Sequence, residues 1–376
     1  MKSVLVSMLL IVGVSFGAHA ASPPVGLSAD IDAVFAELDQ NSGPGCAVGV
    51  IHDGAYIHKA GYGLANLEYG MPITSQSVFR TGSVGKQFTA MAIAILAERG
   101  ELDLDADVHT YLPDLIDYGH KVTIRQMVHH IAGMGDYGHT ALRKADGSEF
   151  RFGNEDYWTI DEFYQHVKKA DLIHAPGSKY EYSNLAYFLL SQVVESVSGE
   201  SLREFGAREI FGRLAMDDTL FNDNVNQPVP NRADGYARMD DGSYEIFMTN
   251  LSWIGDGGVY TNLDDFMKWD QNFYNNRLGK SSDALIKLVT TPHPDTIDYT
   301  DDGPVNVQYA FGMREQESNG EFMIGHGGAW VAFTALYNRY PELKLSIVVF
   351  CNSTDTSAPE LGTKVGEIAV AAIKSN

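Results

Sequence analysis

Two hydrophobic spacings alternate along the chain. Ile31, Val34, Phe35 and Leu38 recur every three or four residues, which predicts a short amphipathic helix capped by Ser28. Residues 46–51 form a compact apolar run of strand type. Asp53-Gly54 then reads as a hairpin turn and residues 55–59 as the returning strand. After Lys86 the pattern changes. Phe88, Met91, Ala92, Ile95 and Leu96 cover one side of a helix, while Ala90, Ile93, Ala94 and Ala97 cover most of the rest. A helix apolar nearly all round is a buried helix, and Gly100 ends it. Helical patterns dominate from Gly82 to about Tyr274. Strand patterns return at 309–314, 322–324, 330–337 and 343–351, with Asn319-Gly320 as a turn, and predict an antiparallel meander. Leu361, Val365, Ile368, Ala369 and Ala372 mark a final helix with one apolar side.

Strands near both ends, each beside an amphipathic helix, predict an α/β (α+β) fold in which one antiparallel sheet is closed by the two termini. The sheet lobe takes in about 21–80 and 250–376, and a mostly helical lobe, about 81–249, is inserted into it. A site is expected between the lobes, where pockets usually form. Cys46 opens the first strand and Cys351 closes the last, so the two would lie opposite each other. They either form a disulfide, in an oxidising compartment, or pack as two buried thiols.

Composition narrows the partners. The chain has 376 residues, 44% of them hydrophobic, ample for a large core. Its net charge of −22 repels nucleic acid and anionic membranes. Lys2, a mostly apolar run from Val4 to Phe16, and Ala18-His19-Ala20 have the form of a signal peptide over 1–20. That run is too short to span a bilayer. An exported protein, periplasmic or secreted, is expected, with residues 21–376 as the mature domain. Neither Cys-x-x-Cys nor His-Glu-x-x-His occurs, and His129-His130 would point apart on a helix, so no metal site is expected.

Candidate chemistry begins at Thr81-Gly-Ser-Val-Gly-Lys86. A phosphate loop would need glycine where Arg80 stands and a hydroxyl where Gln87 stands. A hydrolase elbow would need glycine at Thr81. Ser-x-x-Lys remains, Ser83 to Lys86, at the start of the buried helix with both residues on one face. The helix dipole favours negative charge at the serine oxygen, and burial depresses the lysine pKa so that a neutral amine can take the hydroxyl proton. About one such match is expected by chance from the serine and lysine content, and this is the one that occurs.

Two further stretches join it. Pro176-Gly177 makes a turn before a helix carrying Leu185, Leu189, Val193 and Val194, which places Tyr182 and Asn184 at the junction. A tyrosine there can relay protons and an asparagine amide can hold a carbonyl. Gly325-His-Gly-Gly-Ala-Trp330 falls between strands of the meander, where Gly327 and Gly328 would let backbone approach a ligand. Trp158 and Trp253 are candidate pocket walls, with ordinary core packing as the alternative.

Taken in order, Ser83-x-x-Lys86, Tyr182-Ser-Asn184 and His326-Gly-Gly328 resemble the three motifs of the penicillin-recognising serine hydrolases, nearest the class C β-lactamases with their D-Ala-D-Ala carboxypeptidases, D-aminopeptidases and esterases. Residues 123–133, 195–202 and 257–269 resemble landmarks of the same family. The resemblance implies a two-lobed β-lactamase-like fold. It implies Ser83 as nucleophile, Lys86 as its base, Tyr182 as proton carrier and Asn184 as orienter of the acyl side chain. The backbone N–H groups of Ser83 and Ala329 would bind the oxyanion, with no metal or organic cofactor. His326 stands where many β-lactamases carry lysine, and its charge would rise as pH falls through about 6.5. An esterase or D-amino-acid peptidase acting on an ester, amide or β-lactam bond is therefore favoured. A slow class C type β-lactamase and a non-catalytic penicillin-binding-like protein are the alternatives.

Overall fold

The structure is a computed structural model that describes residues 23–38, 42–136, 157–300 and 303–375. The candidate signal segment lies outside the described residues. Six strands make the main sheet: β1 (Cys46–His52), β2 (Ala55–Tyr62), β3 (Arg314–Ser318), β4 (Glu321–Trp330), β5 (Phe333–Tyr340) and β6 (Leu345–Cys351). Their order is β3-β4-β5-β6-β1-β2, antiparallel throughout. Early and late chain therefore meet at the β1–β6 pair. Cys46 lies opposite Cys351 in that register, and a disulfide joins them.

Both faces of this pair are covered, which is why it reads as continuous apolar sequence rather than as alternation. Val48, Val50, Ile347 and Val349 face helix α1 (Leu27–Val34) and the C-terminal helix, Ala358–Lys374. Ala47, Ile51, Val348 and Phe350 face the opposite way, into a cluster shared with helices α2 (Lys86–Arg99) and α3 (Asn184–Ser198). That cluster runs from the sheet into the helical part without interruption, so the buried helix α2 is the packing bridge. It is buried from Lys86 to Leu96 and stops at Gly100, which adopts φ 77°.

Several local expectations change. Gly26, at φ 87°, precedes α1, whereas Ser28 sits inside the helix with its Oγ 3.2 Å from His58 Nδ1. The third strand starts at Arg314, and Tyr309 contributes only an isolated bridge to it. His326 to Trp330 belong to β4 itself and not to a connection between strands. Two consecutive left-handed residues make each tight hairpin, Asp53-Gly54 and Asn319-Gly320.

Candidate active site

Ser83 lies in a 3₁₀ turn, Gly82–Gly85, that feeds directly into α2. The turn is pressed against β4. A Cβ on Gly328 would come within 2.1 Å of Thr81 O, and one on Gly82 within 2.7 Å of Ala329 N. Gly82 also adopts φ 51°, which favours glycine. Gly328 thus serves contact between strand and turn. At Gly327 a Cβ would meet Pro359 at an ordinary 3.6 Å, so close approach does not require glycine there.

Lys86 is fully buried, and its Nζ contacts three oxygens: Ser83 Oγ at 3.2 Å, Asn184 Oδ1 at 2.6 Å and the Asp256 carbonyl at 2.5 Å. Burial lowers its pKa to about 8, with the Asp256 and Asp136 carboxylates working in the other direction. Asn184 Nδ2 donates to Asp136 Oδ2 at 2.9 Å. Both ends of the amide are thus engaged, and its first partner is Lys86 rather than open space for an acyl chain.

Tyr182 presents its ring to the ammonium at 4.8 Å. Its buried Oη makes no hydrogen bond of acceptable geometry among the described residues. Burial raises the phenol well above its ordinary value, the adjacent Ser83 hydroxyl acting in the opposite direction. Ser183 caps α3 by accepting from Ala186 N, and it also donates to Gly135 O. Its own N–H is donated to His130 Nδ1 at 3.1 Å. His130 lies beyond the helix Ile124–Val128, at φ 58°, with its ring 4.3 Å from that of Tyr182. The two neighbouring histidines are therefore not paired on a helix: His130 supports the Tyr182 turn, while His129 Nδ1 lies 2.8 Å from Arg125 O.

His326 differs most from expectation. Nδ1 faces the Gly327 carbonyl and must donate to it, which leaves Nε2 to accept from Tyr309 Oη at 3.1 Å. Burial lowers the imidazole pKa to about 3. The lowered value favours the neutral ring, which packs beside Tyr182 and Tyr309 while keeping partial exposure along the larger pocket.

Ser83, Asn184 and Ala329 share one small pocket of about 30 Å³ with Arg80, Gly82, Asp256, Gly257 and Trp330. A larger one, about 320 Å³, passes Tyr182, His326 and Gly327 to the other side of β4. Trp253 stacks on Phe163 in the core and Trp158 packs beside the same ring; neither lines the Ser83 pocket, where the indole is that of Trp330. Sequence reading missed Arg80, His130, Asp256 and Tyr309. For His130 a signal was present, since residues 123–133 were already recognised as a landmark.

The chain belongs to the beta-lactamase family, whose model matches residues 31–370. It is 27% identical to a D-aminopeptidase of Gluconobacter oxydans over 326 residues, 86% of this chain and 59% of that protein. The chain thus spans about six-tenths of the curated relatives it matches. Among solved structures, an octameric penicillin-binding protein homologue from Pyrococcus abyssi superposes with TM-score 0.76 at 24% identity, covering 92% of this chain and 77% of the other. D-amino acid amidase from Ochrobactrum anthropi gives TM-score 0.71 at 19% identity, with 93% and 98% covered. These likenesses establish the β-lactamase-like fold.

Proposed function

We propose that the protein is a serine hydrolase cleaving an amide bond next to a D-amino acid through a Ser83 acyl-enzyme. One observation carries the reading: a wholly buried lysine with a pKa of about 8 lies 3.2 Å from the Ser83 hydroxyl. As a neutral amine Lys86 has two N–H bonds and one lone pair. The two N–H groups match Asn184 Oδ1 and the Asp256 carbonyl, so the lone pair is left for the Ser83 proton. Attack on the carbonyl then places negative charge between the Ser83 and Ala329 N–H groups. Tyr182, kept protonated by burial, suits proton donation to the leaving amine. The proton that Lys86 took from Ser83 then passes to the Tyr182 phenolate. The Lys86 amine is free again to take a proton from the attacking water and return it to Ser83 Oγ as the acyl bond breaks.

The D-aminopeptidase relatives and the D-amino acid amidase neighbour support the amide class and the D configuration. Esterase, carboxypeptidase and class C β-lactamase activities are the lesser options at the same nucleophile. The disulfide and the signal-like segment support export to an oxidising compartment. The test is a hydrolysis screen over D- and L-alanine p-nitroanilides, short p-nitrophenyl esters and nitrocefin, with fluorophosphonate labelling of a separate sample. The D-anilide should be cleaved fastest and the label should map to Ser83. A label on another serine, or a preference for the L-anilide, refutes the reading.

A further inference from the structure

Arg80 is the arginine that the fold does not explain. It pairs with Tyr260 in a short two-residue strand and is only 4% exposed. Among the described residues its Nε and Nη1 are buried without a hydrogen-bond partner, and no ion pair links it to a carboxylate. Trp330 and Tyr260 flank the guanidinium at 5.7 and 6.0 Å from their ring centroids, which compensates part of a buried charge but supplies no acceptor. Arg99 and Arg339 show the usual alternative, since each reaches a buried carboxylate, Glu209 and Asp270. A buried cation left without an anion opposes folding, so the missing acceptor is a property to be accounted for. The same residue lines the pocket that holds Ser83 and Ala329.

We propose that Arg80 is a specificity-determining residue that receives a carboxylate on the acyl part of the substrate. The guanidinium fork matches a carboxylate in geometry as well as charge. Pocket size limits the group further. About 30 Å³ holds roughly two water molecules, the room taken by the two oxygens of a carboxylate. An acyl group with a short acidic side chain, of D-aspartyl length, would bring its carboxylate to the guanidinium beside Ser83. This rests on Ser83 being the acylated residue, since the pocket is the space beside it.

The test compares the p-nitroanilides of D-aspartic acid, joined through its α-carboxyl, and D-asparagine, which are nearly isosteric and differ in charge. One hydrogen-bonded charge pair predicts kcat/KM higher for the aspartyl compound by roughly 10- to 100-fold in the native protein. Arg80→Met should bring the ratio near one, and Arg80→Lys should retain part of it. Melting curves check that each variant folds. If Arg80→Met fails to fold, the native ratio and the lysine variant still decide. A native ratio of one or less, or a ratio unmoved by either substitution, overturns the proposal and leaves Arg80 a stacking residue. Fluorophosphonate labelling separates the two levels: Ser83 labelled with no aspartyl preference sinks the Arg80 role alone, whereas no labelling at Ser83 sinks the hydrolase reading beneath it.

Discussion

The surroundings of Asp270 and of Ser83 bury the same kinds of polar side chain and treat them in opposite ways. Asp270 is 1% exposed, and its Oδ1 accepts from Tyr337 Oη at 2.8 Å and Ser346 Oγ at 2.6 Å. Gln271 Nε2 donates to its other oxygen, and Arg339, itself buried and laid over Phe273 and Tyr274, lies 3.5 Å away. Around Ser83 the groups are left short among the described residues: Arg80 has no ion pair, Tyr182 Oη no hydrogen bond of good geometry, and Lys86 Nζ hydrogen-bonds only to uncharged oxygens. The first cluster ties β5 and β6 to the helix Leu263–Asn272. It sets its buried cation beside a buried carboxylate, although Arg339 Nε, 3.5 Å from Asp270, makes no well-formed hydrogen bond. The second keeps unspent hydrogen-bonding capacity where a substrate would enter. A buried cation set beside a buried carboxylate serves the fold; one left on a pocket wall without an anion among the described residues points to chemistry.

Substitutions on the two sides should therefore separate activity from stability. Ser83→Ala should abolish fluorophosphonate labelling with the melting temperature nearly unchanged. Lys86→Ala should slow labelling by roughly 10²- to 10⁴-fold, the usual worth of a positioned base. A melting temperature that collapses in Ser83→Ala would place Ser83 on the structural side. Asp270→Ala is the mirror experiment. Removing one partner of a buried pair costs about 3–5 kcal/mol in denaturant unfolding, and the protein that remains folded should still label at Ser83.

The disulfide belongs with the structural side. Alkylation of the denatured, unreduced protein should modify neither cysteine, and replacing both by alanine should cost about 2–5 kcal/mol. Free thiols in unreduced protein would break that assignment.

Smaller effects sharpen the chemical side. Labelling by an uncharged fluorophosphonate needs neutral Lys86, the form that gains as pH rises. Its rate should climb about tenfold per unit below pH 8 and level off above it. A level rate from pH 6 to 9 would remove Lys86 as the base. The last expectation is a null effect. With the His326 pKa near 3, the ratio of kcat/KM for a carboxylate-bearing β-lactam to that for a neutral ester should stay level between roughly pH 5 and 8. A rise in that ratio through pH 6.5 would restore the charge role that the unburied imidazole value suggests.

Much of this was legible along the chain. The motif residues Ser83, Lys86, Tyr182 and Asn184 converge because the sequence writes each of them at the start of a helix, and helix starts are marked by local signals. Other readings went astray where local pattern underdetermined the surroundings. The strand holding His326 looked like a connection because glycine is a poor strand former, yet Gly328 is required by the turn packed on it. Ser28 looked like a cap, but the positive φ of Gly26 made the turn and freed the hydroxyl for His58.

By itself, then, the sequence determined which segments are helix or strand, that the two ends share one sheet, and that Cys46 stands opposite Cys351. These follow from periodicity, turn residues and apolar content, which act over a few residues or over one whole face. Only the tertiary structure decided the states of the polar groups. Lys86 has a depressed pKa, His326 favours its neutral form and Arg80 lacks an anion among the described residues because of what lies within about 4–6 Å of each, contributed by residues up to 250 positions away, such as Asp256 beside Lys86 and Trp330 beside Arg80. Burial and electrostatics depend on distance in space, and no spacing along the chain encodes that distance.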